Sequence, residues 1–406
     1  MSSAPPRDGG EGAPHRAAIR SLSPALALVL ASALVALAGW WLVGAGRGRP
    51  PIRAELAVSE ALSGGDTSGF ARATAPRPFV FPHDHGPHPE FRTEWWYYTG
   101  NLRAADGRHL GFQLTFFRTA LAPPADAALS RGSAWAATQM YLAHLAVTDT
   151  RGGRFRAYSR MSREALGLAG AQAEPFRVWL DGWSVEGEGP TGLPMRLRAT
   201  GPDVAINLAL TSDKPAVLHG ERGLSRKGPE PGNASFYYSL TRMPARGAVT
   251  IGGERLDVSG LAWMDREWST SALGADLAGW DWFALQLGDG RELMFYQLRR
   301  KDGGVDARSA GTLVDAAGHA EPLAHDAVTV EVIDTWTSPS SGVRYPGRWR
   351  LTWRAGALAL EVVPRLADQE LRVGPRYWEG AVEIRGTDRG RPVTGEGYVE
   401  LVGYGE

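Results

Sequence analysis

The stretch Leu110-Gly-Phe-Gln-Leu-Thr-Phe116 decides the fold class. Leu110, Phe112, Leu114 and Phe116 alternate with Gly111, Gln113 and Thr115, the period-two pattern of a strand with one apolar face. Before it stands Trp95-Trp-Tyr-Tyr-Thr-Gly-Asn-Leu102, and between the two runs lies Asp106-Gly107. Asp-Gly between alternating runs is the signature of a β-hairpin. The same grammar returns in Trp280-Asp-Trp-Phe-Ala-Leu-Gln-Leu287 followed by Asp289-Gly-Arg-Glu-Leu-Met-Phe295. Asp-Gly-Arg-x-Leu-x-Phe thus repeats, and a repeated supersecondary unit reads as duplication. Val178/Leu180, Leu208/Leu210 and Val382/Ile384 extend the alternation along the chain, bounded by Gly, Pro or Asp-Gly. Roughly sixteen to nineteen such strands are expected, a density that fits sandwiches or barrels. Helical periodicity is scarce, with Ala122–Arg131 its best case. The sequence therefore predicts an all-β protein of two tandem β-barrel domains, 76–245 and 246–406, the duplication dividing the body near residue 245.

Composition narrows the function. The 406 residues carry no net charge, and the segment after residue 53 has 38 basic against 42 acidic residues. No basic surface for nucleic acid is expected. The absence of cysteine excludes disulfides, thiolate metal sites and a cysteine nucleophile. Fifteen Trp and 51 Gly suit a β architecture with large buried aromatics and many turns.

Residues 21–46 contain no charged side chain, and Arg16 and Arg20 precede them. The run exceeds the ~20 residues that span a bilayer. Ala36-Leu37-Ala38 also resembles a signal-peptidase site. Residues 1–46 are therefore expected to be a signal peptide or a membrane anchor, followed by a linker over 47–75. A periplasmic protein of the cell envelope follows, anchored to the inner membrane or released after cleavage.

Four constellations carry candidate chemistry. Phe81-Pro-His-Asp-His-Gly-Pro-His-Pro-Glu-Phe-Arg-Thr-Glu-Trp-Trp-Tyr-Tyr-Thr-Gly100 sets Glu94 beside Trp95, Trp96 and Tyr97. If buried there, the Glu94 carboxyl would have a raised pKa, as a general acid requires; alternatively Trp95 and Tyr97 fill a barrel floor and Glu94 caps a turn. His83, His85 and His88 lie in a Gly/Pro-rich loop that enforces no ligand spacing, so no metal is expected. In Gln139-Met-Tyr-Leu-Ala-His-Leu-Ala-Val-Thr-Asp149, His144 shares a strand face with Leu142 and Ala146; it reads as a core histidine or as a pocket base. Lys227 precedes the aromatic strand of Tyr237 and reads as a loop lysine or a pocket cation. Gly223-x-Ser225 lacks the rest of a nucleophile elbow. The sharpest motif is Gly260-Leu-Ala-Trp-Met-Asp-Arg-Glu-Trp-Ser269 with Gly279-Trp-Asp-Trp-Phe283. On a strand, Trp263, Asp265 and Glu267 share one face, the two carboxylates about 7 Å apart, and Arg266 and Trp268 take the other. Two acids flanked by Trp263, Trp268, Trp280 and Trp282 read as a site of low polarity that would force them to share a proton, or as a solvated acidic strand end, against which the Trp density argues.

The Glu-Trp-Trp-Tyr stretch within 85–102 resembles the AttH-like and carotenoid 1,2-hydratase family. So do Ala143-His-Leu-Ala-Val-Thr-Asp149, Gly232-Asn-Ala-Ser-Phe-Tyr-Tyr-Ser239, Trp263-Met-Asp-Arg-Glu-Trp268, Tyr377-Trp-Glu-Gly-Ala-Val382 and Gly397-Tyr-Val-Glu-Leu-Val-Gly-Tyr404. The resemblance spans about residues 76–406. It implies two facing lipocalin-like barrels with an apolar pocket, and hydration of a C=C bond in polyene or prenyl ligands. The chain departs from the family at Arg266, where many relatives carry His, and in its N-terminal segment.

The expectation is an exported protein that binds a long isoprenoid- or lipid-like ligand without a cofactor. Hydro-lyase chemistry would rest on Asp265 with Glu267, Glu94 or His144; Trp95, Trp96, Tyr97, Tyr237, Trp263, Trp268, Trp280, Trp282 and Lys227 would hold the ligand. Two alternatives stand beside it: a non-catalytic envelope lipid carrier working with an ABC-transporter permease, as the setting of some relatives implies, and a secreted hydrolase, for which no activated nucleophile is visible.

Overall fold

The computed structural model describes residues 67–127, 137–270, 273–274 and 276–405. The expected export segment, residues 1–46, lies outside them, as does most of the linker. Among the described residues no helix is long and apolar enough to cross a membrane.

The chain forms two curled antiparallel sheets. The first comprises β1 (Thr93–Ala104), β2 (His109–Ala120), β3 (Gln139–Asp149), β4 (Arg154–Arg163), β5 (Ala169–Gln172), β6 (Arg177–Leu180), β7 (Trp183–Gly187), β8 (Met195–Thr200), β9 (Val204–Leu210), β10 (Val217–Leu218), β11 (Leu224–Arg226), β12 (Ala234–Ile251) and β13 (Glu254–Ser269). The second comprises β14 (Leu277–Leu287), β15 (Glu292–Arg300), β16 (Ala310–Val314), β17 (Ala320–Leu323), β18 (Val328–Thr337), β19 (Arg344–Trp353), β20 (Leu358–Pro364), β21 (Glu370–Leu371), β22 (Tyr377–Asp388) and β23 (Arg391–Val402). The first runs β4-β3-β2-β1-β13-β12-β9-β8-β7-β6-β5, with β10 and β11 also on β12, and β6 comes back toward β3 and β4. The second runs β17-β16-β15-β14-β23-β22-β20-β19-β18. Both are barrel-like, as the alternation required.

The division between them is not at residue 245. That position falls inside β12, whose hairpin with β13 turns at Gly252-Gly253, both in the left-handed region. β13 then supplies the partner of β1 from Thr93↔Ser269 to Ala104↔Val258. Cutting at 245 would strip β1 of a neighbour along its whole length; the first barrel ends at Ser269 and the second begins at Leu277.

Each barrel has its own interior. Trp96, Tyr98, Phe112, Phe116, Met264 and Trp268 lie in the first; Phe283, Leu285, Trp349, Trp378 and Val399 in the second. A third cluster, with Tyr97, Tyr237, Trp263, Trp282, Tyr296 and Tyr398, lies where the outer faces of β1, β12 and β13 meet those of β14, β15 and β23. These strands are therefore buried on both faces, and their sequences are aromatic at odd and even positions alike. Asn101 Nδ2 donates to the Gly397 carbonyl at 3.0 Å, and Gln286 Nε2 donates to the carbonyls of Thr241 and Ala262 at 2.8 and 2.9 Å. Lys214 Nζ meets Glu292 at 2.8 Å, and Arg242 joins the same carboxylate. These contacts clamp one barrel to the other.

Candidate functional site

Strand parity sorts the candidate residues. On β1, Trp95 and Tyr97 point toward the second barrel; Glu94 and Trp96 point into the first. On β13, Trp263, Asp265 and Glu267 share the outward face, and Arg266 and Trp268 the inward one. The register Tyr97↔Asp265 and Trp95↔Glu267 then sets aromatic beside acid.

A cavity of about 120 Å³ opens between the barrels. Trp95, Tyr97, Phe117, Ser235, Tyr237, Asp265, Glu267 and Lys227 line it from the first barrel; Trp280, Trp282, Tyr296, Leu298 and Glu400 line it from the second, with Leu273 of the connection between them. Trp263 stands behind this wall: its indole Nε1 donates to Asp265 Oδ1 at 2.7 Å, and its ring meets Trp282 edge-on at 6.2 Å.

Asp265 is buried and held from three sides. Besides Trp263, the Tyr237 hydroxyl donates to its Oδ2 at 2.7 Å and Ser239 Oγ donates to Oδ1. Burial drives its pKa up to about 7, with Glu267 pushing the same way against those three donors. Behind Ser239 stands His219, Nε2 2.6 Å from Ser239 Oγ and Nδ1 2.9 Å from Thr312 Oγ1 of β16. Burial, then the Lys227 charge, pull His219 down to about 3, so the ring is neutral. A neutral imidazole donates from one nitrogen and accepts at the other. One tautomer supports ionised Asp265 through the Ser239 hydroxyl, and the other accepts the same chain reversed when Asp265 carries a proton.

Across the cavity, Glu400 of β23 accepts from Trp280 Nε1 at 2.9 Å. Burial pushes its pKa up to about 7 as well, and Asp265 and Glu267 add to the rise. Glu267 differs: Ser235 Oγ donates to it, and Lys227 Nζ lies 3.3 Å from its Oε1. Burial pulls Lys227 down, but Glu267, Tyr296 and Asp265 together outweigh it and leave the ammonium's pKa raised.

Four expected site residues stand elsewhere. Glu94 lies in the first barrel's interior, paired with both Arg118 and Arg266 and accepting from the His88 backbone N–H at 3.1 Å. Burial opposes its charge, but the two guanidiniums win and hold its carboxyl well below the usual range, the reverse of what a general acid needs. Trp96 lies under the Arg266 guanidinium, 4.0 Å from its ring, and Trp268 stacks on His88 at 3.7 Å; neither lines the cavity. His144 sits behind Phe117, its Nδ1 2.8 Å from the Tyr377 hydroxyl, and burial pulls it down to about 4. Arg266 likewise faces away from the cavity.

Sequence reasoning missed Glu400, Tyr296, Ser239 and His219. Glu400 stood within Gly397-Tyr-Val-Glu-Leu-Val402, where its parity with Tyr398 and Val402 was readable. Nothing local showed that this face of β23 meets the first barrel.

A double barrel with an acid-bearing aromatic cavity between its halves defines the class. The AttH-like family profile matches residues 72–404, and the chain belongs to that family. A crystal structure described as AttH from Nitrosomonas europaea is 37% identical, with a TM-score of 0.72 over 82% of this chain and 100% of that one. Kievitone hydratase from Nectria haematococca shares the fold at 16% identity and a TM-score of 0.64, over 84% of this chain and 98% of that one. CghA in complex with Sch210972 shares it at 15% and 0.50, over 83% and 97%. No curated protein sequence matched.

Proposed function

We propose that the chain is a hydro-lyase of the cell envelope that adds water to a C=C bond of an apolar ligand held between its barrels. The observation that carries this reading is the pair Asp265 and Glu400: two carboxyls from opposite barrels, both with pKa raised to about 7, in one aromatic-walled cavity. Near neutrality such a pair populates the state in which one is protonated and the other ionised, which acid–base addition requires.

Protonated Asp265 delivers its proton to one alkene carbon. The faces of Trp282 and Tyr237 stabilise the cation left on the other, each by about 0.5–2 kcal/mol. Water attacks that carbon and gives a proton to Glu400. One water is added, and the pair is reset when Glu400 loses its proton to solvent and Asp265 regains one. The fold relative kievitone hydratase bears a hydratase name, and the envelope setting rests on the apolar run over 21–46. A cavity near 120 Å³ approaches the ~150 Å³ that encloses benzene. The reacting end is thus about one ring or one prenyl group, and a longer ligand would extend past the mouth.

The test is turnover of a panel of prenylated phenols and polyenes in ¹⁸O-labelled water, read by mass spectrometry of the product alcohol. Label enters with the wild-type chain and not with Asp265→Asn or Glu400→Gln. Full turnover by Asp265→Asn removes Asp265 as the acid. Tight binding of panel members without any label incorporation identifies a carrier instead.

A further inference from the structure

Lys227 sets an ammonium group in the wall of an otherwise aromatic and acidic cavity, and pairing with Glu267 does not use all of its donors. Its Nζ lies 4.2 Å from the Tyr296 ring centroid and 5.4 Å from that of Tyr237, within the wall of the cavity. Glu267 is the carboxylate it meets, at 3.3 Å. An ammonium has three N–H donors. A single carboxylate contact and two ring faces leave donor capacity directed at whatever fills the space.

The charges around it decide what that can be. Asp265, Glu267 and Glu400 share the cavity with this one lysine. An anionic ligand would meet three carboxyls with only one cation already paired, and like charges at such range repel strongly in a site of low polarity. A neutral carbonyl oxygen accepts from the ammonium without that repulsion.

We propose that Lys227 is the specificity-determining residue of the cavity and selects a neutral, carbonyl-bearing alkene over both the pure hydrocarbon and the carboxylate of the same shape. This rests on the reading of the cavity as an alkene site but not on its catalysis. A ligand held so would place its oxygen at Lys227 and its unsaturated carbons toward Asp265.

Three probes of one shape test it: 4-phenylbut-3-en-2-one (the ketone), trans-β-methylstyrene (the hydrocarbon) and trans-cinnamate (the anion). Binding to the full chain at pH 7.5 is read by quenching of tryptophan fluorescence, since Trp95, Trp280 and Trp282 line the cavity. The wild-type chain should bind the ketone roughly tenfold to a hundredfold more tightly than the hydrocarbon, the range of a hydrogen bond to a charged donor. It should bind cinnamate more weakly than the ketone.

In Lys227→Met/Glu267→Gln, which removes the pair without stranding a buried charge, the preference for ketone over hydrocarbon should fall to within about threefold. Lys227→Arg should keep part of it. The infrared carbonyl stretch of the bound ketone should shift to lower frequency in the wild-type chain and return in the double variant, a change that a purely structural lysine would not produce. Equal binding of ketone and hydrocarbon by the wild-type chain, a preference that survives in the double variant, tighter binding of cinnamate than ketone, or failure of all three probes to bind each overturns the proposal. Ketone binding that depends on Lys227 without any hydration would sustain it while removing the catalytic reading.

Discussion

Replacing Asp265 by Asn should make the protein relatively more stable as pH rises, although the change removes the proposed acid. The folded chain lifts Asp265 from an ordinary 3.8 to about 7. Between those values the folded state keeps a proton that the unfolded state has lost, so stability falls as pH rises from about 4 to about 7 and is level above. Linkage over that shift gives a penalty of about 1.5–2 kcal/mol at pH 5 and about 4 kcal/mol at pH 8. Asn never titrates and escapes it. Asn also loses hydrogen bonds from Tyr237, Ser239 or Trp263, about 1 kcal/mol each, but that loss is nearly independent of pH. The free-energy difference between variant and wild type should therefore move by about 2–3 kcal/mol in the variant's favour from pH 5 to pH 8. Guanidinium titrations of the purified full chain at both pH values, followed by tryptophan fluorescence, measure it. A difference that stays constant within about 0.5 kcal/mol, or moves the other way, would refute the claim that burial raises this carboxyl.

Glu400→Gln should lower turnover strongly and remove one limb of the pH–rate profile near 7 while leaving ketone binding close to wild type. Glu94→Gln should behave oppositely: it leaves Arg118 and Arg266 without their shared carboxylate and should cost about 3–5 kcal/mol in chemical denaturation. Arg266→His should lower stability because it gives up the Trp96 stack and a Glu94 pairing. The pH–rate profile of the folded fraction should not change, and a shift of half a unit or more would contradict the placement of residue 266 away from the cavity.

Much of the fold was legible because period-two alternation and Asp-Gly turns are local. The parity of β13 was legible too: Asp265 and Glu267 on one face, Arg266 and Trp268 on the other. The same parity applied to β1 separates Glu94 and Trp96 from Trp95 and Tyr97, so both sets could not face one cavity. What the sequence withheld was which set turned outward, because Trp96, Tyr97 and Tyr98 are buried and Trp95 half-buried, in one barrel or between the two. The division at 245 failed for a related reason. The repeat fixes that there are two halves, but β12 and β13, at 18 and 16 residues, form a hairpin that carries the first half past the midpoint. Glu400 had a readable parity with Tyr398 and Val402, but nothing local showed what that face meets. A lone glutamate on an alternating strand reads as solvent-facing, and only pairing of β23 with β14 beside the other barrel leaves it half-buried in the cavity wall.

The acid chemistry proposed belongs to neither barrel alone. Asp265 and Glu267 lie on the outside of the first barrel, Glu400 on the outside of the second. On an isolated barrel each would sit on a wetted sheet face, where water stabilises the carboxylate and its pKa stays ordinary. Apposition removes that water from both faces at once, and desolvation is the first cause of the rise at Asp265 and at Glu400 alike. The ion pairs are spent differently. Glu94 in the first barrel takes two arginines and is locked as a carboxylate, which fixes β1 to β2 and β13. At the cavity, Lys227 satisfies Glu267 and leaves Asp265 and Glu400 without a cation of their own. Two acids poised near neutrality therefore need three things together: a second barrel to exclude water, a lysine that neutralises only one of three carboxylates, and strand parity that sends Arg118 and Arg266 inward to Glu94.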